Sequence, residues 1–302
     1  MKHQSKVGVS AAVVLVALLA TTVASAMNFS PWAPAQAVAE LNTASSDGCP
    51  IQSPDGLSFY LASNRTGTLG GLDIWVATRE DADDPWSTPV NLGAPINSAA
   101  DDFCPTPIRG GGLFFASRRE PASCGTNDSD LYFTRLNPAH GWSEPLHLAC
   151  AVDGGPNSTL DEMGPSYVEV DGRGLLFFSS GPDIYMSERG SGWSFGPAQA
   201  VTELNSASSD IQPNVRKDGR EVVFASNRVD TLGGQDIWIA TREDADDPFS
   251  TPVNLGSAVN TTANNETRPS FSRDAKMLYF GRAPTAGGPG DIYMTTREKL
   301  AG

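Results

Sequence analysis

The sequence is poor in the residues on which most catalytic and cofactor sites depend. After residue 26 it has two histidines, His140 and His147, and three lysines. It has no glycine-rich phosphate-binding motif, no Cys-x-x-Cys pair, and no Cys/His spacing typical of a zinc site. We predict no nucleophile elbow of the G-x-S-x-G type, and therefore no Ser-His-Asp hydrolase. The sequence thus predicts no metal site and no cofactor.

Excess positive charge and long apolar runs are also missing. Acidic residues number 35 against 21 basic residues, so the formal net charge is −14. A negative field of this size disfavours nucleic acid and anionic membrane surfaces as partners. After residue 26, no stretch approaches the roughly 18 apolar residues that a membrane-spanning helix requires. We therefore expect no membrane insertion.

The N-terminal segment has the three parts of a secretory signal peptide. Two lysines precede an apolar run over residues 7–20, and Ala24-Ser25-Ala26 matches the small-x-small cleavage pattern. No cysteine lies near this site, so a lipid anchor is not indicated. We expect a signal peptide over residues 1–26, a single domain over residues 27–302, and a secreted or periplasmic protein.

The rest of the chain repeats itself five times, at a spacing of about 55 residues. Each unit contains strand-like runs separated by turns, and an Asp followed by an apolar and an aromatic residue marks its third strand. The five markers are Asp73-Ile74-Trp75, Asp130-Leu131-Tyr132, Asp183-Ile184-Tyr185, Asp236-Ile237-Trp238 and Asp291-Ile292-Tyr293. Repeats of this length made of strands and turns predict an all-β protein, a β-propeller with four-stranded antiparallel blades.

The two ends of the repeat array complement each other. The fifth unit stops at Gly302 without an outer strand, whereas residues 28–42 resemble an outer strand without a blade. A closed ring removes edge strands that would otherwise pair with other chains. We therefore predict five blades, with the N-terminal strand completing the C-terminal blade.

The repeat motifs resemble those of the TolB-like (WD40-like) β-propeller repeat family. The motifs that carry the resemblance are Pro54-Asp55-Gly56, Ala62-Ser63-Asn64-Arg65, Gly70-Gly71-x-Asp73-Ile74-Trp75 and Trp86-Ser87-x-Pro89-Val90-Asn91-Leu92. The resemblance implies a propeller that acts in binding and assembly in the bacterial envelope. TolB itself has six blades and a separate N-terminal domain, so its role in the envelope is not carried over to this chain.

The loops that lead from the outer strand of one blade to the inner strand of the next, here called crossing loops, contain a repeated polar residue. It follows an Asn by five positions and is Asp47, Asp102, Glu162, Asp210 and Asn265 in turn. Two interpretations remain open. These side chains cap turns, or they line a mouth on the propeller axis that binds a cation or a polyhydroxy ligand.

Departures from the repeat add further candidates on the same face. The residue before the inner-strand proline is Cys49, Cys104, Gly164, Gln212 and Arg268 in turn. Arg268 would bring a positive charge to the mouth, with Glu266 nearby. Blade two has a long loop that carries Arg118 and Arg119, whereas the equivalent loop of blade three is short. We therefore expect a ligand-binding notch over blade three.

Four cysteines in an exported chain predict two disulfides. Cys49 and Cys104 occupy equivalent positions in neighbouring blades, and Cys124 and Cys150 both belong to blade two. Of the three connectivities, we predict Cys49–Cys104 and Cys124–Cys150.

These observations favour a secreted, non-catalytic module that binds a glycan, a peptide, or an envelope or extracellular protein through the crossing-loop face. No catalytic residue is predicted, because repeated carboxylates share one environment whereas an acid and a nucleophile need different ones. The alternative is a carbohydrate-active enzyme, a glycoside hydrolase or lyase, that uses carboxylates at the propeller mouth.

Overall fold

The computed structural model describes residues 29–120 and 124–300, and every strand in this part of the chain belongs to a ring of five antiparallel sheets. The predicted signal peptide and its cleavage site lie outside the described residues. A single turn of 3-10 helix, Ala151–Asp153, is the helical element of the described residues. None of their helical segments has the length and apolar character needed to cross a bilayer.

The first strand of the described residues is β1 (Gln36–Ala37). Blade one contains β2 (Asp47–Gln52), β3 (Ser58–Ser63), β4 (Asp73–Thr78) and β5 (Val90–Asn91). Blade two contains β6 (Asp102–Ile108), β7 (Gly112–Ser117) and β8 (Asp130–Asn137), with β9 (Gly141–Trp142) and β10 (Leu146–His147) both paired to β8. Blade three contains β11 (Glu162–Val170), β12 (Arg173–Ser180), β13 (Asp183–Glu188) and β14 (Gln199–Ala200). Blade four contains β15 (Asp210–Val215), β16 (Glu221–Ser226), β17 (Asp236–Thr241) and β18 (Val253–Asn254). Blade five contains β19 (Asn264–Phe271), β20 (Met277–Pro284), β21 (Asp291–Thr296) and the N-terminal β1.

The ring closes as the sequence predicts. Strand β1 pairs antiparallel with β21, with Gln36 opposite Met294 and Ala37 opposite Tyr293. The inner strands β2, β6, β11, β15 and β19 contact one another in a closed cycle around the axis. The five-bladed propeller and its closure by the N-terminal strand are therefore confirmed.

The apolar core lies between the blades rather than inside one of them. Between blades one and five, Phe59 and Leu61 pack in one buried cluster with Tyr279 and Ile292. The Phe59 and Tyr279 rings meet edge to face, with their centroids 4.9 Å apart. Because a four-stranded blade has two faces to bury, each blade is stable only with a neighbour on either side.

Each inner strand carries a bulge at the residue before its proline, where the pairing register shifts. The five residues have positive φ angles: Cys49 48°, Cys104 48°, Gly164 61°, Gln212 57° and Arg268 54°. Four of them are not glycine, which is an uncommon and strained choice at such angles. The bulge turns these side chains toward the propeller axis.

Candidate functional site

The repeated polar residues fold as caps of their own crossing loops. The Asp102 carboxylate accepts hydrogen bonds from the backbone N–H and the hydroxyl of Ser98, at 2.6 and 2.8 Å. Asp47 and Asp210 accept the same pair of bonds from Thr43 and Ser206. The turn-capping interpretation of these residues therefore matches the hydrogen bonds of the structure.

In the crossing loop that leads into blade five, the capping residue is Glu266 and not the predicted Asn265. The Glu266 carboxylate accepts from the Thr261 hydroxyl at 2.9 Å, whereas the Asn265 side chain accepts from the Gln235 N–H. Asp161, one position before Glu162, makes the equivalent bond to the N–H of Ser129. The crossing loop of blade five is one residue longer, so a fixed spacing of five positions from its Asn selects the wrong residue.

Four of the five capping carboxylates are also neutralised by an arginine of the same blade. Arg119 pairs with Asp102 at 2.6 Å, and Arg282 pairs with Glu266 at 2.8 Å. The other two pairs are Arg65–Asp47 and Arg228–Asp210. The carboxylate side chains are completely buried in all four pairs. These carboxylates and Arg119 are therefore held in buried ion pairs within their own blades.

Blade three is the exception, because no arginine of the described residues forms an ion pair with Glu162. The arginines of blades one, two and four follow a serine by two residues, and in blade three that position is Pro182, after Ser180. Glu162 instead accepts hydrogen bonds from the hydroxyls of Ser158 at 2.6 Å and Ser180 at 2.5 Å. Burial raises the pKa of Glu162 to about 7, against hydrogen bonds that act in the opposite direction. Glu162 can therefore hold a proton at neutral pH.

The neighbouring carboxylate, Asp161, is in the opposite state. Its side chain is 40% exposed and pairs with Arg118 at 2.9 Å. Partial burial opposes ionisation, but hydrogen bonds from Ser129 and the charge of Arg118 outweigh it and lower the pKa of Asp161. The start of β11 thus carries a carboxyl group that can hold a proton beside one that is ionised and paired with Arg118.

Two more carboxylates lie close to this pair. Burial is the main cause that raises the pKa of Asp128, with the charges of Asp130 and Asp161 adding to it. Asp130 accepts hydrogen bonds from the Cys124 N–H and from Nε2 of His147, both at 2.8 Å. His147 thus fixes a third-strand Asp at the outer part of blade two, as expected of a residue away from the axis.

Both predicted disulfides are confirmed. Cys49–Cys104 joins the inner strands of blades one and two, with Cα atoms 4.8 Å apart. Cys124–Cys150 ties the long loop of blade two to the end of its outer strand, with Cα atoms 5.6 Å apart. Cys124 and Cys150 lie close to His147, in an arrangement that could suit a metal, but sulfurs in a disulfide are not thiolate ligands.

Arg268 reaches the axis, as its position before the inner-strand proline predicts. Its Nη1 atom lies 2.7 Å from Sγ of Cys49, and its backbone N–H donates to Oε1 of Gln212 at 3.1 Å. Burial lowers the pKa of Arg268 to about 10, so the side chain stays charged at neutral pH. Glu266, which we expected near it, forms its ion pair with Arg282.

The literal pattern G-x-S-x-G, which the sequence-based prediction excluded, does occur as Gly192-Trp193-Ser194-Phe195-Gly196. The structure places it in the connection between β13 and β14. The Ser194 hydroxyl donates to the Ser191 carbonyl at 2.9 Å. The next element of the described chain is strand β14 rather than a helix, so this serine is not part of a nucleophile elbow.

The sequence-based reasoning missed a cluster on the opposite face of the propeller. Arg109, Lys217 and Arg273, in or beside the turns after the inner strands, line a pocket of about 350 Å³ together with Tyr167 and Trp193. The signal for it was a basic residue after the inner strand in three of the five repeats.

No protein-family model matches the sequence, and no curated protein matches it. Solved structures do match. An α-L-arabinofuranosidase from Lactobacillus brevis is 16% identical, with a TM-score of 0.56 over 88% of this chain and 95% of that one. A GH43 endo-arabinanase from Bacillus licheniformis is 14% identical, with a TM-score of 0.54 over 86% and 96%. The GH43 protein BlXynB from the same species is 13% identical, with a TM-score of 0.56, and the match covers 88% of this chain and 54% of that chain.

At these identities the likeness shows the fold alone. TolB from Acinetobacter baumannii also matches, at 14% identity and a TM-score of 0.48, which is too distant to carry an argument. The ring of five antiparallel sheets confirms the propeller fold that the TolB-like repeats implied, whereas a TolB-like specificity is not confirmed.

The prediction of a non-catalytic binding module is overturned. Three of the matched structures are named as an arabinofuranosidase, an endo-arabinanase and a GH43 protein, and none is named as a non-catalytic module. The argument against catalysis assumed that the repeated carboxylates share one environment. They do not, because an arginine pairs with each of the other four capping carboxylates, whereas none among the described residues pairs with Glu162.

Proposed function

We propose that the protein is a glycoside hydrolase whose reaction centre is formed by Asp161 and Glu162 at the start of β11. The observation that carries the proposal is the divergence of their pKa values, since Glu162 is raised to about 7 and Asp161 is lowered. Pairs of carboxyl groups whose environments separate their pKa values in this way supply the acid and the base of glycosidases.

Each group has a distinct role in this proposal. Glu162, which can hold a proton at neutral pH, donates that proton to the glycosidic oxygen as the bond to the leaving sugar breaks. Asp161, ionised and partly exposed, stabilises the positive charge that develops on the sugar ring or activates the attacking water. Arg118 keeps Asp161 ionised through their 2.9 Å ion pair.

Substrate can reach Glu162 only if the crossing loop above it moves, because the Glu162 side chain is completely buried. Leu160, about half exposed, lies over Gly181 in the short turn of blade three. A shift of Ser158 and Leu160 away from this turn would expose the acid at the notch that the short loop leaves.

The proposal is tested by measuring release of reducing sugar from arabinan and xylan, and release of the aryl group from aryl glycosides. We expect Glu162→Gln to abolish polysaccharide hydrolysis and Asp161→Asn to reduce it by about 10²-fold or more. The matched control is Glu169→Gln, an exposed glutamate on the same strand. Full activity of the Glu162→Gln variant, or no turnover of any glycan by a correctly folded protein, would refute the proposal.

The two disulfides are consistent with an extracellular or periplasmic location. We propose that residues 1–26 act as a cleaved signal peptide and that the partner met there is a glycan. N-terminal sequencing of the exported protein tests the first point, and an exported chain that still starts at Met1 would contradict it.

A further inference from the structure

An unneutralised arginine occupies the centre of the propeller. Among the described residues, no carboxylate forms an ion pair with Arg268, whereas Arg65, Arg119, Arg228 and Arg282 each pair with one. Its one side-chain hydrogen bond to a described residue runs from Nη1 to the disulfide sulfur of Cys49. The Arg268 side chain is half-buried, with its guanidinium carbon 5.7 Å from the centroid of the Phe103 ring. Because a positive charge that is partly withdrawn from water and lacks a counter-charge is poorly compensated, this guanidinium attracts an anion.

The space beside Arg268 has the size of a small ion. The cavity has a volume of about 30 Å³ and is lined by the bulge residues of all five inner strands: Cys49, Cys104, Gly164, Gln212 and Arg268. One water molecule needs about 10–15 Å³ of such space, so the cavity accepts about two or three water molecules or a single small anion. The prolines that follow the bulge residues have no N–H group, and Arg268 is the one charged residue among those that line this cavity.

The cavity continues along the axis toward a positively charged entrance. Ile51, Thr106 and Asn214 line both the central cavity and a wider section of about 120 Å³. Lys217 and Arg273 line that section and also the 350 Å³ pocket at the open end.

The charge at this entrance opposes the charge of the whole protein. Arg109, Lys217 and Arg273 are exposed, and none forms an ion pair with a carboxylate of the described residues. Glu169 also lines the pocket, but it pairs with Arg189 at 2.9 Å. In a chain of formal net charge −14, three such cations around one opening create a local positive potential that draws anions inward.

We propose that the axial passage is an anion-binding site in which Arg268 holds one small anion, a halide or a carboxylate group, at the propeller centre. This site is separate from Asp161 and Glu162 and does not depend on the proposed hydrolase activity. The anion supplies the counter-charge that the four other arginines receive from their own blades.

The test compares thermal unfolding of wild type and Arg268→Gln in increasing sodium bromide. At a tenfold excess of bromide over its Kd, we expect the wild-type melting temperature to rise by about 3–6 °C more than that of the variant. Arg173→Gln is the matched control, since it removes an arginine that does not line the passage. This control variant should show the same rise in melting temperature with bromide as wild type. An equal rise for wild type and Arg268→Gln would overturn the proposal.

A second measurement is independent of the variant's ability to fold. Crystals of the wild-type protein soaked in bromide should show an anomalous peak within hydrogen-bond reach of the Arg268 guanidinium, and the absence of that peak at saturating bromide would overturn the proposal. Adding acetate distinguishes the two anion classes. Loss of the peak assigns a carboxylate-accepting site, and its persistence assigns a halide site.

Discussion

Removing the ionisable group of Glu162 should abolish a specific pH dependence of stability. The Glu162 side chain is completely buried, and burial raises its pKa from 4.5 to about 7. Because the folded state holds the proton of Glu162 more tightly than the unfolded state, the contribution of Glu162 to stability is highest below pH 4.5 and falls as the pH rises toward 7. The full difference corresponds to about 3 kcal/mol, at about 1.4 kcal/mol for each pKa unit.

Glu162→Gln keeps the shape of the side chain and the hydrogen bonds that Oε1 accepts from the Ser158 and Ser180 hydroxyls, but it loses the bond from the Ser158 backbone N–H and cannot ionise. The lost bond gives an offset that does not depend on pH. We expect the stability of the variant relative to wild type to be lowest near pH 4.5 and to rise by up to about 3 kcal/mol by pH 8. Urea unfolding at half-unit pH steps from 4.5 to 8 measures the difference. Subtraction of the two curves removes the contributions of other titrating groups.

Glu169→Gln serves as the control, because Glu169 is exposed and its substitution should leave the curve parallel to wild type. Parallel curves for wild type and Glu162→Gln across this range would refute the reasoning, since they would mean that Glu162 ionises with an ordinary pKa. The same titration bears on catalysis: if Glu162 is the general acid, kcat/KM should fall as the pH rises above about 7.

The remaining predictions concern the contacts that close the ring. Glu221→Gln removes the carboxylate that two buried arginines share between blades four and five, and it should lower the free energy of unfolding in urea by about 3–5 kcal/mol. The control Glu298→Gln, at an exposed ion pair, should change that free energy by less than about 1 kcal/mol. Similar losses for both variants would contradict the prediction. Deletion of residues 29–42 exposes an edge of blade five, so it should lower the melting temperature and promote association in size-exclusion chromatography. An unchanged melting temperature and elution volume would contradict the closure of the ring by the N-terminal strand. Replacing Cys49 and Cys104 together by Ala should destabilise the protein by about 2–5 kcal/mol in urea unfolding. An unchanged urea midpoint would show that this disulfide does not stabilise the propeller.

Much of the fold was predictable because every blade solves the same packing problem. The repeated Asp of the third strand is one example, since Asp73 accepts from the Leu69 N–H at 2.7 Å and Asp236 accepts from the Leu232 N–H at 2.6 Å. Such local contacts recur at fixed spacing, so a pattern in the sequence reports them. The Cys49–Cys104 pairing was predictable for the same reason, because equivalent positions in neighbouring blades lie side by side.

The site was less predictable because its chemistry depends on contacts between distant residues. Arg228 pairs with Asp210 from 18 positions away, and Arg119 pairs with Asp102 from 17. The sequence does contain a signal for these pairs, since an arginine follows the second-strand serine by two residues in three blades. Pro182 at that position of blade three marks Glu162 as different. Without the fold, nothing indicated that these arginines and carboxylates meet.

The sequence by itself determined the number of blades, the closure of the ring and both disulfides, because the repeat period and the equivalence of positions fix which strands are neighbours. Only the tertiary structure decided the electrostatic state of each carboxylate, because a pKa depends on burial and on charges brought close by strand pairing. Tertiary structure therefore neutralised four carboxylates with arginines, left Glu162 able to hold a proton, and placed Arg268 at the axis without a counter-charge among the described residues.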